Sequence, residues 1–248
     1  MKEKIKKVKI KLVFLGQVPF TVDTSKILSW QSNLFELINP IETFQITKNS
    51  DREDWSYSDA CIQSLIPKRN GEDILIALTN VRIEDNYYVR RFVNDSFCVT
   101  FHEVLEILDE KYIPLENFIL KVLYSISLVY KKYGNRIPEM SEMTKFTHDE
   151  TKGCLFDMNG NKTDIIYSTN HPIICSTCVS TLVNDGIEQS LLKEVQNELE
   201  NVQKDLYYRI SDFIKTHPKL SISISSISAI ILGAIGSILA SFIWENIK

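Results

Sequence analysis

With 248 residues, 44 % of them hydrophobic and 24 % charged, the chain is long enough for one sizeable core plus appendages and too apolar to be disordered. A net charge of −4 excludes the overall basicity that nucleic-acid binding needs, so nucleic acid is not an expected partner. Five cysteines, an odd number, and the absence of a signal-type N-terminus are read as placing the folded part in a reducing cytosol.

The first eleven residues carry six lysines interleaved with Ile5, Val8 and Ile10, and no apolar run of signal length follows, because Gln17, Pro19 and Asp23 interrupt it. Residues Val8 to Leu15 predict a strand that is half exposed and then fully buried, its lysines on a solvated edge; contact with anionic lipid is the alternative. Ile27, Leu28, Trp30, Leu34, Leu37 and Ile38 recur at three and four, which predicts a helix capped by Thr24 or Ser25 and ended by Pro40. Glu42 to Lys48 alternates as a short strand. Ser50-Asp51-Arg52-Glu53 then opens a second helix through Trp55, Ala60, Cys61, Leu65 and Ile66. The unbroken apolar run from Asp73 to Thr79 predicts a central strand covered on both faces. Tyr87 to Phe92 and Asp95 to Thr100 read as a hairpin about Asn94-Asp95, followed by a short helix from His102 to Leu108. Strands alternating with helices give an α/β fold, a mixed sheet flanked by helices. From Pro114 to Gly134 a helix through Phe118, Ile119, Val122, Leu123, Ile126, Leu128, Val129 and Tyr130 is apolar nearly all round, and therefore buried. Its length, Glu116 and Lys121 exclude it from a bilayer.

His148, five residues, Cys154, twenty residues, and Cys175-Ser176-Thr177-Cys178 then place one imidazole and three thiols within a short stretch. Four such ligands complete a tetrahedron around zinc and leave no position for water or substrate, so the expected cofactor is one structural Zn held by His148, Cys154, Cys175 and Cys178. Buried reduced cysteines, a local disulfide and a redox C-x-x-C are the alternatives; a redox pair gives no reason for His148 and Cys154 at ligand spacing upstream. His171 lies near enough to substitute as a ligand. Asp157 and Asp164 read as turn formers around Asn159-Gly160-Asn161.

A mixed sheet, a buried helix and a cysteine site ending in C-x-x-C resemble, in that order, the archaemetzincin family of zinc metallopeptidases over roughly residues 5–185. In that family a structural zinc is held by C-x4-C-x-M and a later C-x-x-C. The resemblance sets His148 in place of the first cysteine, Cys154-Leu155-Phe156 in place of C-x-M, and Cys175 and Cys178 as the last pair. The family's active-site helix carries H-E-x-x-H, whereas the buried helix here reads Lys121-Val122-Leu123-Tyr124-Ser125-Ile126-Ser127-Leu128, with neither base nor ligands. His148 also lies well past that helix, after a segment containing Pro138 and Met140. The resemblance therefore implies a degenerate relative, a pseudoenzyme that kept the structural zinc and lost the catalytic one. A rival, His102-Glu103-x-x-Glu106, offers only two ligands, and acids at a helix start account for the same residues.

Beyond Gly186, Leu192, Val195, Leu199, Val202, Leu206 and Phe213 recur at spacings of three and four up to Lys215, with Arg209 interrupting the seam, which reads either as a weak coiled coil or as one amphipathic helix folded back on the domain. Leu220 to Trp244 contains no charge and as a helix is about 37 Å long, enough to cross a ~30 Å hydrocarbon core. Trp244 marks one interface and Lys215, His217 and Lys219 the other, so the expected topology is a single-pass tail anchor in the inner (cytoplasmic) membrane with the folded part in the cytoplasm. Ser221, Ser225, Ala229, Gly233, Ser237 and Ser241 repeat at intervals of four, a face on which helices approach closely.

The domains expected are residues 1–186, 187–216 and 220–244, with a short tail after them. The function expected is a membrane-anchored, non-catalytic sensor or effector that recognises an unknown cytoplasmic ligand or protein and forms a homo-oligomer through residues 192–241. By analogy, such a design suits a membrane-disrupting antiviral defence effector. A membrane-surface metalloprotease and a membrane-localising scaffold are the alternatives.

Overall fold

A computed structural model of the protein describes residues 6–139, 142 and 147–247, with side chains to 245; Ile5, the first lysines and Met140 lie outside the described residues. The chain falls into two units, residues 1–203 and 204–248.

In the first unit β1 (Val8–Leu15), β2 (Phe35–Phe44), β3 (Ile74–Thr79), β4 (Val89–Phe92) and β5 (Ser96–Thr100) form one sheet in the order β2-β1-β3-β5-β4. β1 runs parallel to β2 and β3, and β3 parallel to β5, while β4 is antiparallel to β5 on the edge. This is the mixed α/β sheet expected. β3 lies at the centre with every residue buried, as its apolar run requires. Phe92 pairs with Ser96, and in the three-residue loop between them Asn94 and Asp95 both adopt left-handed backbone (φ 58 and 50), a conformation these two residue types tolerate.

The sheet's two faces are unequally covered. Val8, Ile10, Leu12, Ile74, Ile76, Leu78, Phe97 and Val99 pack with α1 (Thr24–Leu28), α3 (Val104–Asp109), α4 (Leu115–Lys132), α5 (Ile165–Thr169), α6 (Ser176–Asn184) and α7 (Gln189–Leu199) in the main core. The opposite face, with Val13, Leu15, Leu75, Ala77 and Cys98, packs with Ile62 of α2 (Asp59–Leu65) and with Ile83.

Three expectations are corrected. The helix expected over residues 24–38 stops at Leu28, capped by Asp23, whose Oδ1 accepts from the Ser25 and Lys26 amides at 2.9 and 3.1 Å. Phe35 to Ile38 instead pair with Val8 to Lys11; the spacing of Leu34, Leu37 and Ile38 fits a helix, but an open parallel edge of β1 takes them as strand. β2 continues through Pro40 to Phe44, with the register shift between Lys11 and Val13 accommodating a proline that cannot donate to the ladder. Second, Ser50 to Glu53 do not open α2: Ser58 caps it through Oγ at 3.1 Å from the Cys61 amide, and the Asp51 carboxylate holds Ser58. Trp55 is left exposed.

Third, the helical segment expected to continue to Lys215 is two helices, α7 and α8 (Leu206–Thr216). Leu192, Val195, Leu199 and Val202 are buried in the first unit's core, so that four of the six residues of the expected coiled-coil seam are covered by their own domain. In the second unit, Leu206, Tyr207, Ile210, Phe213 and Ile214 of α8 are exposed. α9 (Pro218–Ile247) follows, and its stretch Pro218–Glu245 is long and apolar enough to cross a membrane, with none of it buried.

Candidate metal centre

Residues 147–178 contain little regular structure, and the site is assembled by short stretches of backbone pairing. The His148 amide donates to the Phe156 carbonyl at 3.0 Å and the Met158 amide to the His148 carbonyl at 2.9 Å. Beside them the Leu155 amide reaches the Ile173 carbonyl at 2.8 Å and the Ile173 amide the Gly153 carbonyl at 2.9 Å. These bonds set His148, residues 153–158 and Ile173 side by side. Gly153 permits the turn into Cys154: its φ is +89, and a Cβ there would meet the Tyr167 carbonyl oxygen at 3.2 Å. Cys175 is the N-cap of α6 and Cys178 lies in its first turn, where the helix's positive end favours thiolate.

The ligating atoms of His148, Cys154, Cys175 and Cys178 all lie within 4.8 Å of one another. Cys154 Sγ is 3.8 Å from Cys178 Sγ, and Cys175 Sγ is 3.6 Å from His148 Nε2. A tetrahedral zinc, with Zn–S about 2.3 Å and Zn–N about 2.0 Å, sets sulfurs about 3.8 Å apart and nitrogen and sulfur about 3.5 Å apart. The donor set and these spacings fit a zinc ion, and the cluster can hold one. A disulfide needs sulfurs about 2 Å apart, and all five cysteines are free.

The electrostatics agree with thiolate at this place. The Cys154 thiol is held well below the usual thiol range, first by its hydrogen bond with Cys178 and further by the backbone amides of Cys175 and Phe156 and by His148. The opposite displacement of Cys178 comes first from the same bond, which the two thiols share. Cys98, in β5 and away from the cluster, behaves in the contrary way: desolvation pushes its thiol up to about 12. His148 Nδ1 is buried without a hydrogen-bond partner among the described residues, its nearest acid, Glu150, standing 3.9 Å away with its side chain largely in solvent.

The remaining sequence candidates are placed elsewhere. His171 is exposed and its amide donates to the Val202 carbonyl at 2.8 Å; it is outside the cluster. Glu103, at positive φ before α3, accepts from Asn86 Nδ2 at 2.7 Å and Lys162 Nζ at 3.1 Å, which hold its carboxyl below the usual range. Glu106 is exposed, and among the described residues no metal-ligating group forms around His102. Asp157 Oδ1 accepts from the Asn159 amide at 2.9 Å, a turn-forming bond, and Asp164 pairs with Lys152 at 2.8 Å. On α4, Tyr124 is fully buried and Ser125 donates to the Val122 carbonyl at 3.1 Å.

No protein-family model and no curated protein matches the chain. Among solved structures, archaemetzincin from Methanopyrus kandleri is similar in fold at a TM-score of 0.46 and 13 % identity, covering 75 % of this chain and 98 % of that one. A likeness so distant assigns neither activity nor ligands here.

Proposed function

We propose that this protein is a membrane-anchored, non-catalytic sensor or effector. Its first unit, braced by zinc on His148, Cys154, Cys175 and Cys178, recognises a ligand or protein on the cytoplasmic side. Its second unit holds it in the membrane and brings copies together. The observation that carries this reading is α9: a stretch of 28 residues, Pro218–Glu245, none of it buried, while the core of the first unit includes no residue of it. The row of apolar residues on α8 at positions 206, 207, 210, 213 and 214 supports a helix lying at the interface just before the span. Lys215, His217 and Lys219 at the same end favour the cytoplasmic side. The zinc's part is structural: four protein ligands close its shell, and its binding stabilises the fold that residues 147–184 complete.

Association is expected to run along Ser225, Ala229, Gly233 and Ser237, where small side chains let helix backbones approach. Crosslinking in cells, paired with a membrane-potential dye, tests it. Gly233→Leu should lose crosslinked species and Leu232→Ile should keep them. Depolarisation that needs Gly233 supports an effector, and association without depolarisation points to the scaffold. A monomer with full biological activity overturns the oligomer. The purified protein should not cleave casein; cleavage abolished by Glu103→Gln would instead establish the metalloprotease reading.

A further inference from the structure

We infer that the cavity between β4, α4 and residues 155–158 is a binding site for a small amphipathic carboxylate that also carries one N–H or O–H donor. This deepens the recognition half of the proposed function and rests on that reading only for its biological purpose. The cavity is about 380 Å³, the size of a small organic ligand. Its walls are mostly apolar, with Phe97, Val122, Ile126, Val129, Leu155 and Phe156 among them.

Into this apolar space the fold places charge that its own residues leave partly unanswered. Lys121 is 3 % exposed, and its Nζ donates to the Tyr88 hydroxyl at 3.2 Å and lies 4.9 Å from that ring's centre. Among the described residues no carboxylate stands within ion-pair distance of it. The Tyr88 hydroxyl also accepts from Asn159 Nδ2 at 2.9 Å, so its own hydrogen remains for a further acceptor. Asp157, 5 % exposed, lines the same cavity; its Oδ1 holds the Asn159 amide, while Oδ2 has no hydrogen-bond partner among the described residues. Arg90 does not compete for an anion, since Asp59 at 2.8 Å and Asp85 at 3.3 Å already hold it.

Lys121, Tyr88, Asn159 and Asp157 thus form one polar line with unfilled donors at one end and an unfilled acceptor at the other. A buried ammonium and carboxylate in an apolar cavity are stable when each is answered. A carboxylate on the ligand answers Lys121 and Tyr88; an N–H or O–H answers Asp157 Oδ2; an apolar body fills the rest. Arg91 also lines the cavity, its Nη2 donating to the Glu142 carbonyl at 3.2 Å, and a dianion such as phosphate is disfavoured because Asp157 repels its second charge. Ordered water could serve the same polar atoms but has no use for the apolar walls, and would leave the site without organic ligand.

Titration of the full chain in detergent micelles, with empty micelles as blank, decides this. The probes are indole-3-acetate, 1-methylindole-3-acetate, which lacks the donor, and 3-methylindole, which lacks the acid, followed by saturation-transfer NMR. Indole-3-acetate should bind saturably and weaken at least about tenfold in Lys121→Met, as loss of a charged hydrogen bond implies. Asp157→Asn should weaken indole-3-acetate and leave the N-methyl acid unchanged. Unchanged zinc content reports folding; should Lys121→Met fail that check, Tyr88→Phe, removing one hydroxyl, should also weaken the acids. No saturable binding of either acid, equal binding of 3-methylindole, or indifference to Lys121→Met and Tyr88→Phe overturns the site. Gly233→Leu should bind the acid unchanged, so loss of helix association and loss of ligand binding are separately visible.

Discussion

α4 and α9 are both apolar on nearly every side, yet one is enclosed by protein and the other by none. Of the 18 residues of α4, 15 are buried, and the candidate span in α9 has none. Their polar residues explain the difference. In α4 these depend on distant partners: Glu116 Oε1 accepts from the Asp23 amide at 2.6 Å, Lys121 reaches Tyr88, and the Tyr124 hydroxyl donates to Glu198 at 2.6 Å while accepting from Trp30 at 2.8 Å. In α9 two serines near its start turn back on their own helix, Ser221 Oγ to the His217 carbonyl at 2.9 Å and Ser223 Oγ to the Lys219 carbonyl at 3.0 Å. A helix that satisfies its polar groups internally suits lipid; one that needs partners suits a folded core.

The largest expected effect falls on the unit that holds α4 and leaves α9 alone. Cys175→Ser with Cys178→Ser should remove about one zinc per chain and unfold the first unit, since binding energy at such sites is folding energy. Elemental analysis reads the metal, and metal content unaffected by the double change would refute the ligand assignment. Next in size, Leu123→Ala, at a fully buried position of α4, should cost about 2–5 kcal/mol in denaturant unfolding. Ile230→Ala in α9 should leave the first unit's midpoint where it was. Tyr124→Phe should cost about 1–3 kcal/mol, because it strips Trp30 Nε1 of its acceptor and Glu198 of a donor. Burial and Glu198 push the Tyr124 hydroxyl well above the ordinary tyrosine range, so it remains a donor at any working pH. The smallest effect belongs to Ser223→Ala, within about 0.5 kcal/mol in the same unfolding experiment, since its hydroxyl serves only its own helix.

Much of this contrast was legible in the sequence because it is local. The charge-free run from Leu220 to Trp244, the unbroken run of β3, and Asn94-Asp95 between two strand patterns each carry their structure within a few residues. The clustering of His148, Cys154, Cys175 and Cys178 was legible from their spacing, although the Gly153 turn that makes it close was not singled out. What escaped was decided by tertiary contact. Phe35 to Ile38 became strand because β1 offered an edge, and α7 ends where Glu198 is drawn to the Ser32 hydroxyl and the Asn33 amide at 2.7 and 2.8 Å. Lys121 and Asp157 read separately as an interruption in a buried helix and as a turn former, because nothing local links either to Tyr88.

Hydrogen exchange of the full chain in lipid nanodiscs, with and without a zinc chelator, tests the division between the two helices most directly. Amides of α4 should be protected with zinc and exchange rapidly once it is stripped, while those of residues 220–244 should stay protected throughout. Persistent protection of α4 without metal, or rapid exchange along α9 in lipid, would contradict a zinc-braced domain carried on a membrane-spanning helix.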